Sequence, residues 1–210
     1  MSEDIQRETP RWIEILELSL LAVVAIATAW SGYQATTWGG RQAELYGQAS
    51  STRFAADAAA TLGGQTLAAD ATIFTAWLQA HDAGNRTLEA QLERRFTPDY
   101  AQAFQGWLAT DPFTSSDAPP GPAAMPDYVN PGLAKADTLN AQASAAFADG
   151  TTARETANKY ARDTVLFATV IFFVVMAQRF THRGVRLGAN TIAIALLVYV
   201  LTTLITLPRA

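Results

Sequence analysis

The segment Gln178–Arg186, QRFTHRGVR, is followed by Leu187–Leu207, LGANTIAIALLVYVLTTLITL, whose one strongly polar side chain is Asn190. About 20 apolar residues at roughly 1.5 Å of rise cross a bilayer core, whereas a soluble helix needs apolar residues on one stripe only. The run reads as a membrane span. The short hinge before it carries Arg179, Arg183 and Arg186 with His182, and positive charge in a short loop stays on the cytoplasmic side. Span and sidedness are both expected from this one contiguous segment.

Outward from it, charged residues also thin out in 18–33 and 164–177. Each window is shorter than an ideal span and alone would fit a buried core helix; beside the third run they read as two further spans. Trp12 and Tyr33 lie about 32 Å apart along a helix at roughly 1.5 Å per residue, which suits aromatic anchors at both interfaces. A cleavable signal peptide is the rival reading of this end, from Arg7, Arg11, the apolar run and the small residues Ala27 and Ala29. Glu3, Asp4, Glu8, Glu14 and Glu17 make the region net negative, the wrong sign for a signal sequence, so it is read as a retained span.

The expected organisation is a cytoplasmic segment 1–11, a first transmembrane helix 12–38, an extracytoplasmic helical domain 39–159, a second transmembrane helix 160–180, a cytoplasmic basic hairpin 181–186, a third transmembrane helix 187–207 and an extracytoplasmic end 208–210. The fold class is an all-α integral membrane protein with three transmembrane helices and an extracytoplasmic helical bundle domain, in the plasma (inner) membrane.

Between the first two spans no period-two alternation is sustained and breakers fall where helices should end. Gly39 with Gly40 predicts a kink, and Gly63 with Gly64 a helix end. Leu67, Ala71, Phe74 and Leu78, flanked by Ile73 and Trp77, give one broad apolar helical face that HDAGN (81–85) terminates. Leu88, Leu92 and Phe96 mark a short helix. Thr97, Pro98 and Asp99 then open another with an N-cap, a first-turn proline and a favourable first-turn charge, and Tyr100, Phe104, Trp107 and Leu108 form its stripe. Residues 111–131 hold six of the nine prolines, so a long surface loop is expected there. Leu133–Phe147 resumes helix, Gly150 predicts a break, and Thr152 with Glu155 fits a capping box that opens the second span.

Tyr33 and Gln34, then Gln42, Glu44, Leu45 and Tyr46 on an alanine-rich helix, together with the basic hairpin between the last two spans, resemble a family of small bacterial three-span membrane proteins of unknown function. The resemblance covers both ends of the chain; the aromatic helices and proline loop stand as an addition to a simpler helical segment. It implies the topology and carries no activity.

A net charge of -4 without a basic stripe argues against a nucleic-acid partner, and the absence of cysteine removes disulfides and thiolate chemistry. No nucleophile, metal or nucleotide motif is present, so no catalytic residue, cofactor or metal is expected and an enzyme is the least favoured class. The polar residues within the spans are the remaining candidates. Glu17 has two readings: with Glu14 it favours the positive end of a helix and reaches the headgroups, or it pairs with Arg179 or Arg186, or joins a cation-attracting ring in an oligomer. Thr28, Ser31 and Gln34 on the first span and Asn190, Tyr199, Thr202, Thr203 and Thr206 on the third are either self-satisfied or line a hydrated path. Ala22, Ala25, Ala29 and Gly32 form a small-residue packing face. The expected partners are the lipid bilayer, further copies of this chain and a protein contacting the extracytoplasmic domain. The expected function is a non-enzymatic oligomeric membrane protein acting as a structural, accessory or sensory component; the alternative is a homo-oligomeric channel or pore lined by the first transmembrane helix.

Overall fold

The structure, a computed structural model, describes residues 11–180 and 182–209, and of Arg183 the backbone alone. The readings placed on residues 1–10, on Thr181 and on Ala210 lie outside the described residues. All regular structure among the described residues is helical: α1 (Arg11–Asp82), α2 (Arg86–Glu93), α3 (Pro98–Leu108), a one-turn 3-10 helix (Pro122–Ala124), α4 (Pro131–Arg179) and α5 (Arg183–Thr206). Three of these helices, α1, α4 and α5, are long and apolar enough to cross a membrane.

Two expectations about helix ends are corrected. Helix α1 runs unbroken for 72 residues through Gly39, Gly40, Gly63 and Gly64, and α4 runs for 49 residues through Gly150. Glycine costs only about 1 kcal/mol against alanine in a helix, and close packing offsets that. A Cβ on Gly132 would lie 2.6 Å from the Gly63 Cα, and one on Gly150 would lie 2.6 Å from the Tyr46 ring. Gly63 and Gly150 are contact points rather than punctuation, whereas Gly39, Gly40 and Gly64 have open space where a Cβ would stand. Thr152 does not cap a helix; its Oγ1 donates to the Ala148 carbonyl one turn back.

The chain divides into two compact units, one built from the chain up to Tyr46 and from Phe147 onward, the other from Gly47–Ala146. In the first unit, α1, α4 and α5 turn one seam each toward a common axis. The inward positions on α1 are Ile13, Glu17, Leu20, Val24, Ala27, Ser31 and Gln34; on α4 Tyr160, Asp163, Phe167, Val170, Val174 and Ala177; on α5 Arg186, Asn190, Ala193, Leu197 and Val200. Steps of three and four alternate throughout, which averages 3.5 residues and keeps one stripe facing its neighbours in a left-handed supercoil. The centre of this bundle is apolar, closed by Val24, Ala27, Phe167, Val170, Val174, Ala193, Leu197 and Val200.

Polarity is inverted relative to a water-soluble protein. Glu17, Ser31, Gln34, Asp163, Arg186 and Asn190 are buried, while Ile26 and Ile205 are 73% and 72% exposed. Leaving an isoleucine in water instead of burying it forgoes roughly 1.5–3 kcal/mol, a penalty that vanishes when hydrocarbon is the solvent. The apolar coat and polar seam are therefore what a lipid-facing bundle requires.

The second unit follows ordinary soluble-domain rules. Phe74, Trp77, Leu92, Phe96, Tyr100, Phe104 and Trp107 form its core with Ala80, and Trp77 meets Phe104 edge-to-face at 4.8 Å. HDAGN does end α1, with Gly84 taking a positive φ of 66°, and Asn85 caps α2 by accepting from the Leu88 amide. Pro98 opens α3 as expected, but the Thr97 hydroxyl does not cap it. That hydroxyl and the Thr97 amide both donate to buried Asp70, at 2.6 and 2.9 Å. Residues 111–131 contain no α-helix before Pro131. Trp107 Nε1 donates to the Pro119 carbonyl at 2.7 Å, and Asn130 donates to the Gly63 carbonyl at 2.9 Å, so the proline loop is held at two points.

Candidate functional site

Among the described residues, seven polar side chains are buried in the first unit; Thr156 donates to the Thr152 carbonyl of its own helix, and the other six fall into two layers. At the end where α1 and α5 begin, Arg186 lays its guanidinium across the Glu17 carboxylate: Nε donates to Oε1 at 2.9 Å and Nη2 to Oε2 at 2.7 Å. Asn190, one turn on, donates to Oε1 at 2.9 Å. Two-pronged guanidinium–carboxylate contact is the strongest geometry such a pair adopts. Of the two readings of Glu17, the geometry is that of the paired one, with Arg186 as the partner; Arg179 is exposed. Arg186 is therefore spent inside the bundle rather than free in the hinge, and Glu17, 1% exposed, does not look outward.

The second layer lies near the other end. Trp38 Nε1 and the Tyr160 hydroxyl both donate to the Pro208 carbonyl, at 3.2 and 3.1 Å. Just inside that tie sits Asp163, whose side chain is 0% exposed. Its Oδ2 receives only a long 3.3 Å contact from Thr203, and its Oδ1 has no hydrogen-bond partner. Arg162 Nη2 lies 3.6 Å from Oδ1 with its own side chain 58% exposed, too far for a hydrogen bond. Asp163 was not among the residues singled out from sequence. The signal for it was phase: it is three residues after Tyr160 and four before Phe167, on the inward seam of α4.

The remaining candidates separate. Ser31 and Gln34 are buried, and the Ser31 hydroxyl has no hydrogen-bond partner. Thr28 donates back to the Val24 carbonyl at 2.7 Å. Thr202, Thr203 and Thr206 each donate to the carbonyl three residues back, at 2.6, 2.7 and 2.7 Å. Tyr199, Thr202 and Thr206 are exposed on the outer face of α5, and Ala22, Ala25 and Ala29 are exposed on α1, with Gly32 half-buried and nothing near its Cα. The small-residue face thus points away from the bundle's own interior.

In the second unit His81 is stacked between Trp77 and Phe113, at 5.0 and 4.5 Å, with Nδ1 3.5 Å from Glu89 Oε1. Burial pushes the Tyr100 phenol up to about 12, with nearby Asp70 adding to the shift. A cleft of about 300 Å³ is lined by residues including Asp99, Met125, Asp127 and Tyr128. Among the described residues no cluster of three or more His, Asp or Glu side chains could hold a metal. Comparison with protein families, with curated proteins and with solved structures finds no match to this chain.

Proposed function

We propose that the chain is a non-enzymatic, self-associating membrane protein of the plasma membrane that serves a structural, accessory or sensory role through the helical unit 47–146 on the extracytoplasmic side. The observation that carries this reading is the inverted polarity of the three-helix bundle, together with a separate aromatic-cored unit on the same chain. The bundle centre between the two polar layers is packed with valine, alanine, leucine and phenylalanine, so a single subunit offers no polar path from one end to the other. Its buried carboxylate at the first end, Glu17, is neutralised within the subunit. Both features favour an anchor over a conduit.

The pore alternative draws less support, because Glu17, Ser31, Gln34 and Asn190 are turned inward, which leaves exposed Tyr199, Thr202 and Thr206 and half-buried Thr28 and Thr203 among the candidates for a path between copies. Outward-facing Ala22, Ala25 and Ala29 are compatible with close approach of a second copy. The family resemblance noted on Tyr33, Gln34 and Gln42–Tyr46 is part of the same proposal.

The chain has no cysteine, so single cysteines report sidedness cleanly. Ser116→Cys is expected to react with an impermeant maleimide on intact cells and Gly184→Cys only after permeabilisation; the reverse pattern overturns the topology. Purified protein in nanodiscs is expected to run as an oligomer. A cation current in planar bilayers would replace this reading with the channel.

A further inference from the structure

Two buried oxygens near the Pro208 end lack partners, the Asp163 Oδ1 and the Ser31 Oγ, and they occupy one level of the bundle. Bonded pairs fix the register of α1 against α5: Glu17 with Arg186 and Asn190, and Trp38 with Pro208, are 169, 173 and 170 residues apart. The same offset brings Ser31 and Gln34 level with the turn of α5 that contains Thr203, and Thr203 contacts Asp163. Ser31, Gln34 and Asp163 lie on inward seams, and Thr203 is half-buried beside that of α5.

Among the described residues, the polar groups level with Asp163 are these. From α1 come Ser31 and Gln34, neither of them titratable. From α5 comes Thr203, whose proton is already directed to the Val200 carbonyl at 2.7 Å. On α4 itself are Tyr160, hydrogen-bonded to Pro208, and Arg162, directed outward. Arg209 follows Pro208 and is exposed. Among the described residues, the one cation paired with Asp163 is Arg162 of its own helix. A carboxylate left in an apolar site without a paired charge is so costly that the group takes a proton instead. An alkali cation is the competing occupant, but it needs a shell of several oxygens at short range, and the nearest oxygen donor to Asp163 from another helix stands at 3.3 Å.

We propose that Asp163 is a proton-binding site: its carboxyl is held as the neutral acid in the closed bundle, and loss of that proton loosens the packing of α1, α4 and α5 at the Pro208 end. The neutral acid supplies an O–H donor that can reach Ser31 or the surrounding carbonyls. The ionised form has as counterion only the exposed Arg162 guanidinium, 3.6 Å away on its own helix, and draws in water. Because the site lies only about one helical turn, roughly 5 Å, from the Tyr160–Pro208 tie, it exchanges with the solution on that side and not across the apolar centre.

The test uses the full chain in nanodiscs, labelled with aspartate carrying ¹³C at the side-chain carboxyl, and infrared spectroscopy as pH is raised. A protonated aspartic-acid carbonyl band is expected at neutral pH, lost on alkalinisation, absent in Asp163→Asn and retained in Glu17→Gln. Thr203→Val keeps the backbone geometry and is expected to shift the band, so the assignment stands even where Asp163→Asn fails to fold. Absence of the band at neutral pH overturns the proposal, as does its persistence in Asp163→Asn. Loss of the band on adding sodium at fixed pH also overturns it, in favour of a cation site. None of these outcomes depends on the sidedness or oligomeric state proposed above.

Discussion

Glu17 and Asp163 are both buried carboxylates on the inward seam of one three-helix bundle, separated by about 25 Å at roughly 1.5 Å per residue, yet their surroundings are opposite. Glu17 receives a two-pronged guanidinium and a carboxamide from α5. Asp163 receives one long hydroxyl contact and faces the exposed Arg162 of its own helix at 3.6 Å. What separates them is whether a cation stands on a neighbouring helix in the same phase of the 3–4 repeat. At one end Arg186 does, and the layer is a fixed charge pair; at the other the α5 side chain that reaches the carboxyl is half-buried Thr203, and the layer holds a carboxyl, hydroxyls and the Gln34 amide.

The largest expected effect breaks the paired end. Arg186→Ala strands a buried carboxylate, and loss of one partner of such a pair costs about 3–5 kcal/mol; unfolding in mixed micelles should show it, and Glu17→Leu with Arg186→Leu should recover most of the loss. Asn190→Ala removes one hydrogen bond to a charged acceptor and is expected to cost about 1.5–3 kcal/mol by the same measurement. An alkaline control separates the units. Tyr100 ionises at about 12 in the folded chain against 10 ordinarily, so the stability it contributes is present below pH 10 and falls as pH rises from 10 toward 12. Near-ultraviolet circular dichroism of the aromatic core should report a loss on the order of 2 kcal/mol that Tyr100→Phe abolishes. The smallest effect belongs to the orphan end, where Asp163→Asn at neutral pH should change stability by less than about 1 kcal/mol, because a neutral amide replaces a neutral acid of similar shape. A loss there as large as that of Arg186→Ala would erase the contrast between the two layers.

Much of the architecture was legible because it is written in composition. The thin charge of 18–33, 164–177 and 187–207 marked three apolar helices, HDAGN marked the end of α1, Pro98 marked the start of α3, and the prolines of 111–131 marked the loop. What escaped was written in contacts between distant residues. Gly63 reads as a break until Gly132 is placed against it, and Gly150 until Tyr46 is. The Thr97 hydroxyl reads as a cap until Asp70, 27 residues away, takes it. Glu17 could be given two arginine partners from sequence, since nothing in the linear chain separates them; Arg186 prevails because it shares a face with Asn190 one turn later. Asp163 was passed over because a hydropathy window weighs how many charges a segment holds and not which way each one points.

The two ties on the proline loop, Trp107 to Pro119 and Asn130 to Gly63, leave Thr114–Asp117 as a short exposed bend ahead of the first anchor. Grafting an epitope or a protease recognition sequence at Ser116 should therefore extend the chain into solvent without unthreading the aromatic core. Such an insertion gives an antibody or a fluorophore a handle on the helical unit while the transmembrane seams stay unaltered.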